Sequence, residues 1–211
     1  VSNAVRALFR EAFIGVESDL LGAGYATCGS TPGLIATLGT GSDISFYDGN
    51  DLKPSVHGIG YVLGDEGSGA WFGKRLITSF LYGKMPKDLE NKFSEKYALT
   101  KDAVIKNVYQ KERPNSYLAS FAMFMDEQRN NPFIDKLLTD GFDEFVRTNI
   151  MTFPNYWDYK CNFVGRIAYT FDLHLQAVCK LHGVQVGKIL RSPIEEVFHY
   201  VVERETQSVD N

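Results

Sequence analysis

Two glycine-dense loops, each next to an apolar run, constrain this chain more than any other feature. The first loop, residues 39–43, follows the apolar run 33–38, and the second, residues 58–69, holds five glycines within twelve residues. Glycine costs conformational entropy on folding, so this density indicates sharp turns or the close approach of a ligand to the backbone. Exposed backbone N–H groups can hold an anion, while nearby hydroxyls and carboxylates can hold a metal-phosphate or a polyol. The combination favours transfer of a phosphoryl group to a small hydroxylated acceptor.

Composition narrows the class of partner. The 211-residue chain has a formal net charge of -4 and no cluster of Lys and Arg, which argues against nucleic-acid and anionic-membrane partners. No segment reaches the roughly 18 to 20 consecutive apolar residues needed to span a bilayer. Cys28, Cys161 and Cys179 lack the spacing of metal ligands and indicate core thiols in a reducing compartment. With no secretory signal visible, we expect a cytoplasmic protein. A homodimer is compatible with the sequence.

The order of predicted elements indicates an α/β fold with a helical block in its middle. Strands are predicted at residues 13–16, 33–38, 44–47, 60–63, 161–165 and 184–190. Helices are predicted at 20–28, at several amphipathic segments between 66 and 149, at 166–181 and after Pro193. A helical insert between two parts of one sheet would leave a cleft.

Two common phosphate-binding fingerprints are absent from the glycine loops. Ser68 stands where the Walker A sequence needs its first glycine, and Gly64 comes one residue late for the dinucleotide fingerprint. Thr40-Gly41-Ser42 follows a predicted buried strand, where a simple tight turn and a phosphate-binding turn are about equally compatible with the residues.

Three further positions carry two interpretations each. Asp19 lies where a predicted strand gives way to a helix, so it is either a helix cap or a general base at the sheet edge. Asp65, between glycines, is either part of a helix start or a ligand contact. Gly165 is either a plain turn glycine or a site where an adenine or ribose lies on the backbone.

Four segments together resemble a known family. Residues 16–23, 38–42, 60–69 and 163–169, in this order, resemble the BadF/BadG/BcrA/BcrD ATPase family and, within it, the N-acetylglucosamine kinase-like proteins. The resemblance implies an α/β actin-like ATPase (ribonuclease H-like) fold, with a mixed sheet flanked by helices. It also implies that residues 1–30 end a truncated N-terminal lobe. Residues 31–211 would form the C-terminal lobe, with a helical insertion at about 85–155.

The same resemblance implies an activity and its residues. The activity is ATP-dependent phosphorylation of an amino sugar, N-acetylglucosamine first, at its 6-hydroxyl. Mg2+ would bridge the phosphates, without a metal site built from protein ligands alone. The implied residues are Asp19 as catalytic base, Thr40, Gly41, Ser42 and Gly165 at the ATP, and Gly58, Ile59, Gly60 and Asp65 at the sugar.

Several departures from the family pattern keep alternatives open. The family's first phosphate-binding hairpin would lie before Val1, Asp43 stands where Asn is expected, and Arg166 where a small Ser is usual. Ile59 replaces an aromatic residue, which leaves the sugar open. One alternative is an ATPase that activates a dehydratase, but its bridging iron–sulfur cluster needs cysteine pairs that this chain does not offer. The other is a sugar sensor without turnover, which the retained Asp19 and Asp65 disfavour.

Overall fold

A four-stranded mixed sheet forms the centre of the structure, a computed structural model that describes residues 2–9, 12, 14–53 and 55–209. The strand order is β2-β1-β3-β4. β1 (Gly33–Leu38) is antiparallel to β2 (Ser42–Tyr47) and parallel to β3 (Lys160–Val164), which is parallel to β4 (Gln185–Leu190). The carboxyl ends of β1, β3 and β4 therefore meet at one edge, which is where open α/β sheets bind ligands.

Helices flank this sheet, and most of them lie between β2 and β3. No helix among the described residues is both long and apolar enough to cross a membrane. The helices are α1 (Ser2–Leu8), α2 (Asp19–Cys28), α3 (Gly69–Leu81), α4 (Lys87–Tyr97), α5 (Lys101–Tyr109), α6 (Pro114–Ala119), α7 (Ala122–Glu127), α8 (Pro132–Thr148), α9 (Arg166–Thr170), α10 (Asp172–Leu181) and α11 (Ile194–Val209), with 3-10 turns at Ile150–Thr152 and Tyr156–Asp158.

Alternation along β1 divides the core between the two faces of the sheet. Leu34 and Leu38 lie in the larger core, together with residues of α3, α8 and α10. Ile35 points to the opposite face and packs in a smaller core with Leu20 and Ala23 of α2. Because side chains alternate with period two, a central strand covered on both faces is apolar at every position. This explains why the run 33–38 contains no charged residue.

The predicted α/β fold, with a mixed sheet flanked by helices, is confirmed. The predicted return strand at 60–63 is wrong, since this segment is a turn in which the Leu63 and Gly64 N–H groups donate to the Gly60 carbonyl. Val62 and Leu63 are 70% and 75% exposed, so the prediction was wrong to take these apolar residues as buried. Residues 14–16 are not in a strand either, and Phe13 lies outside the described residues.

Candidate active site

The turn between β1 and β2 is held by the start of α3. The Gly39 N–H donates to the Gly41 carbonyl at 3.0 Å. The N–H groups of Gly69 and Ala70, which begin α3, donate to the carbonyls of Gly39 (2.8 Å) and Thr40 (3.0 Å). These helix N–H groups are thus used within the protein. An anion at this turn would meet the remaining backbone N–H groups of the turn and the exposed Thr40 side chain.

Asp65 lies against the same turn in an unusual backbone conformation. Its φ is +60°, in the left-handed region that residues with a side chain seldom adopt, and the residue is buried. The Ser42 N–H donates to the Asp65 carboxylate, and the Ser42 hydroxyl donates to the Glu66 carbonyl at 2.9 Å. Ser42 therefore joins the two glycine loops, and both of its donors are engaged inside the protein.

A cavity of about 490 Å3 opens at the carboxyl edge of the sheet. Three carboxylates, those of Asp19, Asp43 and Asp65, line it together with Arg191, and we call it the carboxylate cavity. It brings together most of the predicted site residues. Those that line it are Asp19, Thr40, Gly41, Ser42, Gly58, Asp65 and Gly165, whereas Ile59 and Gly60 do not.

Asp19 reaches this cavity as the first residue of α2. The Ser18 hydroxyl caps the helix by accepting from the Leu21 N–H at 3.1 Å, so Asp19 itself is not the cap. Its side chain is exposed and stands in the first turn, where a negative charge interacts favourably with the helix dipole. The carboxylate is consequently accessible to a ligand in the cavity.

Burial, together with repulsion between neighbouring carboxylates, disfavours ionisation of the half-buried aspartates of the carboxylate cavity. Burial raises the pKa of Asp43, opposed by the Ile44 N–H and by His57, while repulsion from Asp19 raises it further. Burial also raises the pKa of Asp65, to which repulsion from Glu66 and Asp43 adds. A group of carboxylates in this condition favours a cation or a hydroxyl donor as its neighbour.

Gly58 belongs to the same cavity, and its neighbours in the loop lie farther out. Gly58 has a φ of +72°, and a Cβ there would lie 2.7 Å from the Asp43 carboxylate. Ile59 instead lines an adjoining pocket of about 160 Å3 that shares Gly58 and Asp65 with the carboxylate cavity. Gly60, also at positive φ, lines neither space, and the place of its missing Cβ has no neighbour within 4 Å.

This adjoining pocket contains residues that sequence reasoning missed. Asn149, just after α8, is buried, and its Nδ2 donates to the Glu66 Oε2 at 3.2 Å. The Thr152 hydroxyl donates to the Asn149 carbonyl at 2.7 Å and lies 3.1 Å from the His57 Nε2. His57 also lines this pocket. No local motif could identify Asn149, because it lies 83 residues after Glu66 in sequence.

A second cavity, of about 320 Å3, extends from Gly39 and Thr40 toward α6, α7 and α9, and we call it the side cavity. Arg166, the first residue of α9, lines it. Gly165, the residue before Arg166, has a φ of +130°. A Cβ at Gly165 would lie 2.3 Å from the Leu38 carbonyl oxygen. The Gly165 N–H donates to the Leu190 carbonyl at 2.8 Å. Close packing of the strand ends thus requires glycine at this position independently of any ligand.

The acidic side chains of the carboxylate cavity are also possible ligands of a metal ion. Among the described residues, no group of three or more His, Cys, Asp or Glu side chains is placed to hold a metal by itself. Mg2+ at phosphate-transfer sites is usually held by one or two carboxylates together with substrate phosphates and waters. Asp19, Asp43 and Asp65 line one cavity, so one or two of their carboxylates would be the protein's contribution to a Mg2+ bound mainly through phosphates and waters.

The sheet topology and the two cavities at its carboxyl edge define an α/β protein with the actin-like ATPase fold. The chain is 36% identical to the protein in the crystal structure of the putative N-acetylglucosamine kinase from Porphyromonas gingivalis, with a TM-score of 0.90. The match covers 94% of this chain and 70% of that one. At this identity and coverage, the chain belongs to the same family as the Porphyromonas gingivalis protein.

A second solved structure shows the fold alone. It is the putative N-acetylglucosamine kinase from Chromobacterium violaceum, which is 19% identical with a TM-score of 0.67 and is matched over 92% of this chain and 70% of that one. No protein-family model and no curated protein matches the chain.

Proposed function

We propose that this protein is a sugar kinase that transfers the γ-phosphoryl group of ATP to the 6-hydroxyl of an amino sugar, with N-acetylglucosamine as the leading acceptor. The observation that carries the proposal is that Asp19, the Thr40 turn and Asp65 line one cavity. The 36% identical relative, whose name describes a putative N-acetylglucosamine kinase, supports the choice of reaction and acceptor.

The nucleotide is assigned to the side cavity and the turn. The two cavities share Gly39 and Thr40, so a ligand whose base lies in the side cavity can extend its phosphates over the turn toward Asp19. Thr40, Gly41, Ser42 and Gly165 remain the proposed ATP residues. Thr40 and Gly41 are proposed to contact the phosphates, whereas Ser42 and Gly165, whose donors bond within the protein, are proposed to shape the turn and the strand ends against which the nucleotide lies. When Mg2+ is bound with the nucleotide, it neutralises phosphate charge, and the carboxylates of the cavity would hold it.

The sugar is assigned to the side of the cavity formed by Gly58 and Asp65. Asp65 presents a buried carboxylate that can accept hydrogen bonds from sugar hydroxyls, and Ile59 would contact the sugar from the adjoining pocket. That pocket, with the Asn149 amide and the Glu66 carboxylate, offers polar groups to a substituent such as an acetamido group. Gly60 is proposed to shape the turn that carries these contacts.

Asp19 is proposed as the general base. Its carboxylate takes the proton of the 6-hydroxyl as the hydroxyl oxygen forms a bond to the γ-phosphorus. The bond between that phosphorus and the bridging β–γ oxygen breaks, and ADP leaves with the electron pair. The products are the 6-phosphorylated sugar, ADP and a proton, so charge and atoms balance.

Two alternatives receive less support. The dehydratase activator requires cysteines at an iron–sulfur cluster, yet none of Cys28, Cys161 and Cys179 lines either cavity, and the last two are buried. A sugar sensor would not need an exposed carboxylate at the sheet edge, where Asp19 stands.

Coupled ATP consumption by the full-length protein tests the proposal. N-acetylglucosamine and glucose are compared as acceptors in the wild type, in Asp19→Asn and in Asp102→Asn. Asp102 is a matched control, because it is an exposed aspartate in the first turn of a capped helix and lines neither cavity. We expect Asp19→Asn to lose about 10²- to 10⁴-fold in kcat, the usual contribution of a general base.

The other outcomes of this experiment are equally informative. Sugar binding without turnover in the wild type would replace the kinase with the sensor. Sugar-independent ATP hydrolysis in an iron-containing sample would indicate the activator. Equal turnover in Asp19→Asn and Asp102→Asn would remove Asp19 from the role of base.

Three wider assignments are proposed on the same basis. A kinase that uses ATP would act in the cytoplasm, where ATP is available. Residues 31–211 are proposed to act as one lobe, with the helices between about 85 and 155 inserted into it. Self-association into a homodimer also stays a proposal, which sedimentation velocity would test.

A further inference from the structure

The proposed reaction places several negative charges in a site that is already acidic. The carboxylate cavity holds three aspartates, and a nucleotide polyphosphate would add further negative charge. Such a ligand needs cationic partners besides any metal ion, because unneutralised charge in a partly buried cavity is costly. Whether the cavity can bind a polyphosphate therefore depends on the cationic side chains that the structure describes around the two cavities.

Two other basic side chains near the cavities, Lys74 and His57, are already engaged elsewhere. The Lys74 Nζ lies 3.2 Å from the Tyr61 carbonyl oxygen, and Lys74 lines neither cavity. The His57 ring lies against Thr152 at 3.1 Å, outside the carboxylate cavity. Neither residue is placed to contact phosphates over the Thr40 turn.

Arg191 lines the carboxylate cavity in the same wall as Gly165. It follows Leu190, the last residue of β4, whose carbonyl accepts from the Gly165 N–H at 2.8 Å. On its other side, Ser192 and Pro193 lead directly into α11, and the Pro193 carbonyl accepts from the Val197 N–H. The backbone is anchored on both sides of Arg191, while its exposed side chain makes no hydrogen bond or ion pair with another described residue.

Arg166 lies just beyond the end of the neighbouring strand, two residues after Val164. Val164 and Leu190, the last residues of β3 and β4, are register partners, so Arg166 and Arg191 follow adjacent parallel strands at the same edge. The two acidic residues of the side cavity are paired with cations, Asp126 with Arg129 and Glu127 with Lys96. Arg166 has no such partner among the described residues and is exposed.

We propose that Arg191 and Arg166 are phosphate-binding residues that hold the polyphosphate of the bound nucleotide from two sides of the Thr40 turn. Arg191 contacts the phosphoryl group transferred near Asp19, and Arg166 contacts the phosphates nearer the base. Guanidinium groups suit this task because they bind phosphate oxygens in a bidentate manner and remain charged. The inference rests on the proposed kinase function and adds two residues to which that function assigned no role.

Binding and kinetics together test the pair on the full-length protein. Isothermal titration calorimetry would measure the affinities for ATP, adenosine and inorganic tripolyphosphate in the wild type, Arg191→Gln, Arg166→Gln and the double variant. Lys180→Gln serves as the control, since it removes one positive charge from an exposed position of α10 that lines neither cavity. Thermal unfolding would show that each variant is folded.

We expect each glutamine variant to bind tripolyphosphate and ATP about 10- to 100-fold more weakly, with adenosine binding unchanged. Arg191→Gln should lower kcat, because its contact strengthens as the phosphoryl group is transferred. Arg166→Gln should chiefly raise KM for ATP. Lysine at either position should recover part of the lost affinity, because lysine restores the positive charge but not the bidentate geometry.

Three results would overturn the inference. One is wild-type affinity for tripolyphosphate in the double variant, and another is wild-type protein that does not bind tripolyphosphate at all. The third is tighter adenosine binding by Arg166→Gln, which would show that Arg166 obstructs the base instead of holding phosphate. A wild type that binds tripolyphosphate through both arginines but phosphorylates no sugar would contradict the proposed function and leave this inference standing.

Discussion

The Asp65 carboxylate occupies the space in which a side chain of residue 41 would stand. A Cβ at residue 41 would lie only 2.7 Å from the Asp65 Oδ2, closer than such atoms approach one another. Asp65 holds this position with a φ of +60° and with a hydrogen bond from the neighbouring Ser42 N–H. The two glycine loops of the sequence are therefore one structural unit, in which a glycine of the first accommodates a carboxylate of the second.

This relationship predicts that Gly41→Ala displaces Asp65. We expect a loss of about 1–3 kcal/mol in the free energy of unfolding, the usual cost of overpacking, and a weaker affinity for the sugar. Gly39→Ala is the control for stability, because the place of its missing Cβ has no neighbour within 4 Å. Urea unfolding would measure both variants, and equal losses would contradict the steric explanation.

The raised pKa of Asp65 predicts a trade-off between stability and function. Because burial raises the pKa in the folded state above its ordinary value of 3.8, the folded protein holds this proton more tightly than the unfolded chain does. Asp65 therefore lowers stability progressively as the pH rises from about 3.8 through the folded-state pKa, and the loss persists above it. Asp65→Asn should remove that loss while it weakens sugar binding.

The measurement is the free energy of unfolding between pH 4 and pH 7. The stability of Asp65→Asn relative to the wild type should increase between pH 4 and pH 7, and the variant should be equally or more stable at pH 7, since asparagine also tolerates a positive φ. Asp102→Asn, at an exposed site, is the control for the exchange of an aspartate for an asparagine. A relative stability of Asp65→Asn that falls as the pH rises would show that the Asp65 carboxylate stabilises the fold instead.

Gly165→Ala is predicted to be among the most damaging glycine substitutions. Its Cβ would lie 2.3 Å from the Leu38 carbonyl oxygen, and its φ of +130° disfavours any side chain. We expect a loss of about 3 kcal/mol. Gly183→Ala, at a φ of +69° with open space, should lose only about 1 kcal/mol from the backbone conformation. Thermal unfolding of the two variants would contradict this account if their losses were equal.

Asn149→Asp tests the contact between the end of α8 and the second glycine loop. The Asn149 amide donates to the Glu66 carboxylate at 3.2 Å, and the substitution would replace this donor with a like charge. We expect KM for the sugar to rise by about 10-fold above neutral pH, and by less in acid, where the new carboxyl is protonated. Thr139→Asp, on the exposed face of α8, controls for added charge. If Asn149→Asp left KM for the sugar unchanged, the contact between Asn149 and Glu66 would have no role in sugar binding.

Local patterns were sufficient for the elements whose residues determine their own conformation. The apolar run 33–38 predicted a buried strand, and this segment forms the buried strand β1. The same reasoning failed at 60–63, where exposed apolar residues resemble a strand but local hydrogen bonds to Gly60 form a turn. The arrangement of the site was harder to predict from the sequence, because the groups that support it are distant from one another along the chain.

By itself, the sequence determined the fold class and the identity of the two loops, because glycine density and hydrophobic periodicity are local properties. Only the tertiary structure decided that Asp65 lies against Gly41, that Gly165 must lack a side chain because of Leu38, and that Asn149 reaches Glu66. It also decided that two arginines, neither of which has a partner among the described residues, follow adjacent strands. These relationships depend on which strand ends meet in space, and that follows from the packing of the sheet and its helices as a whole.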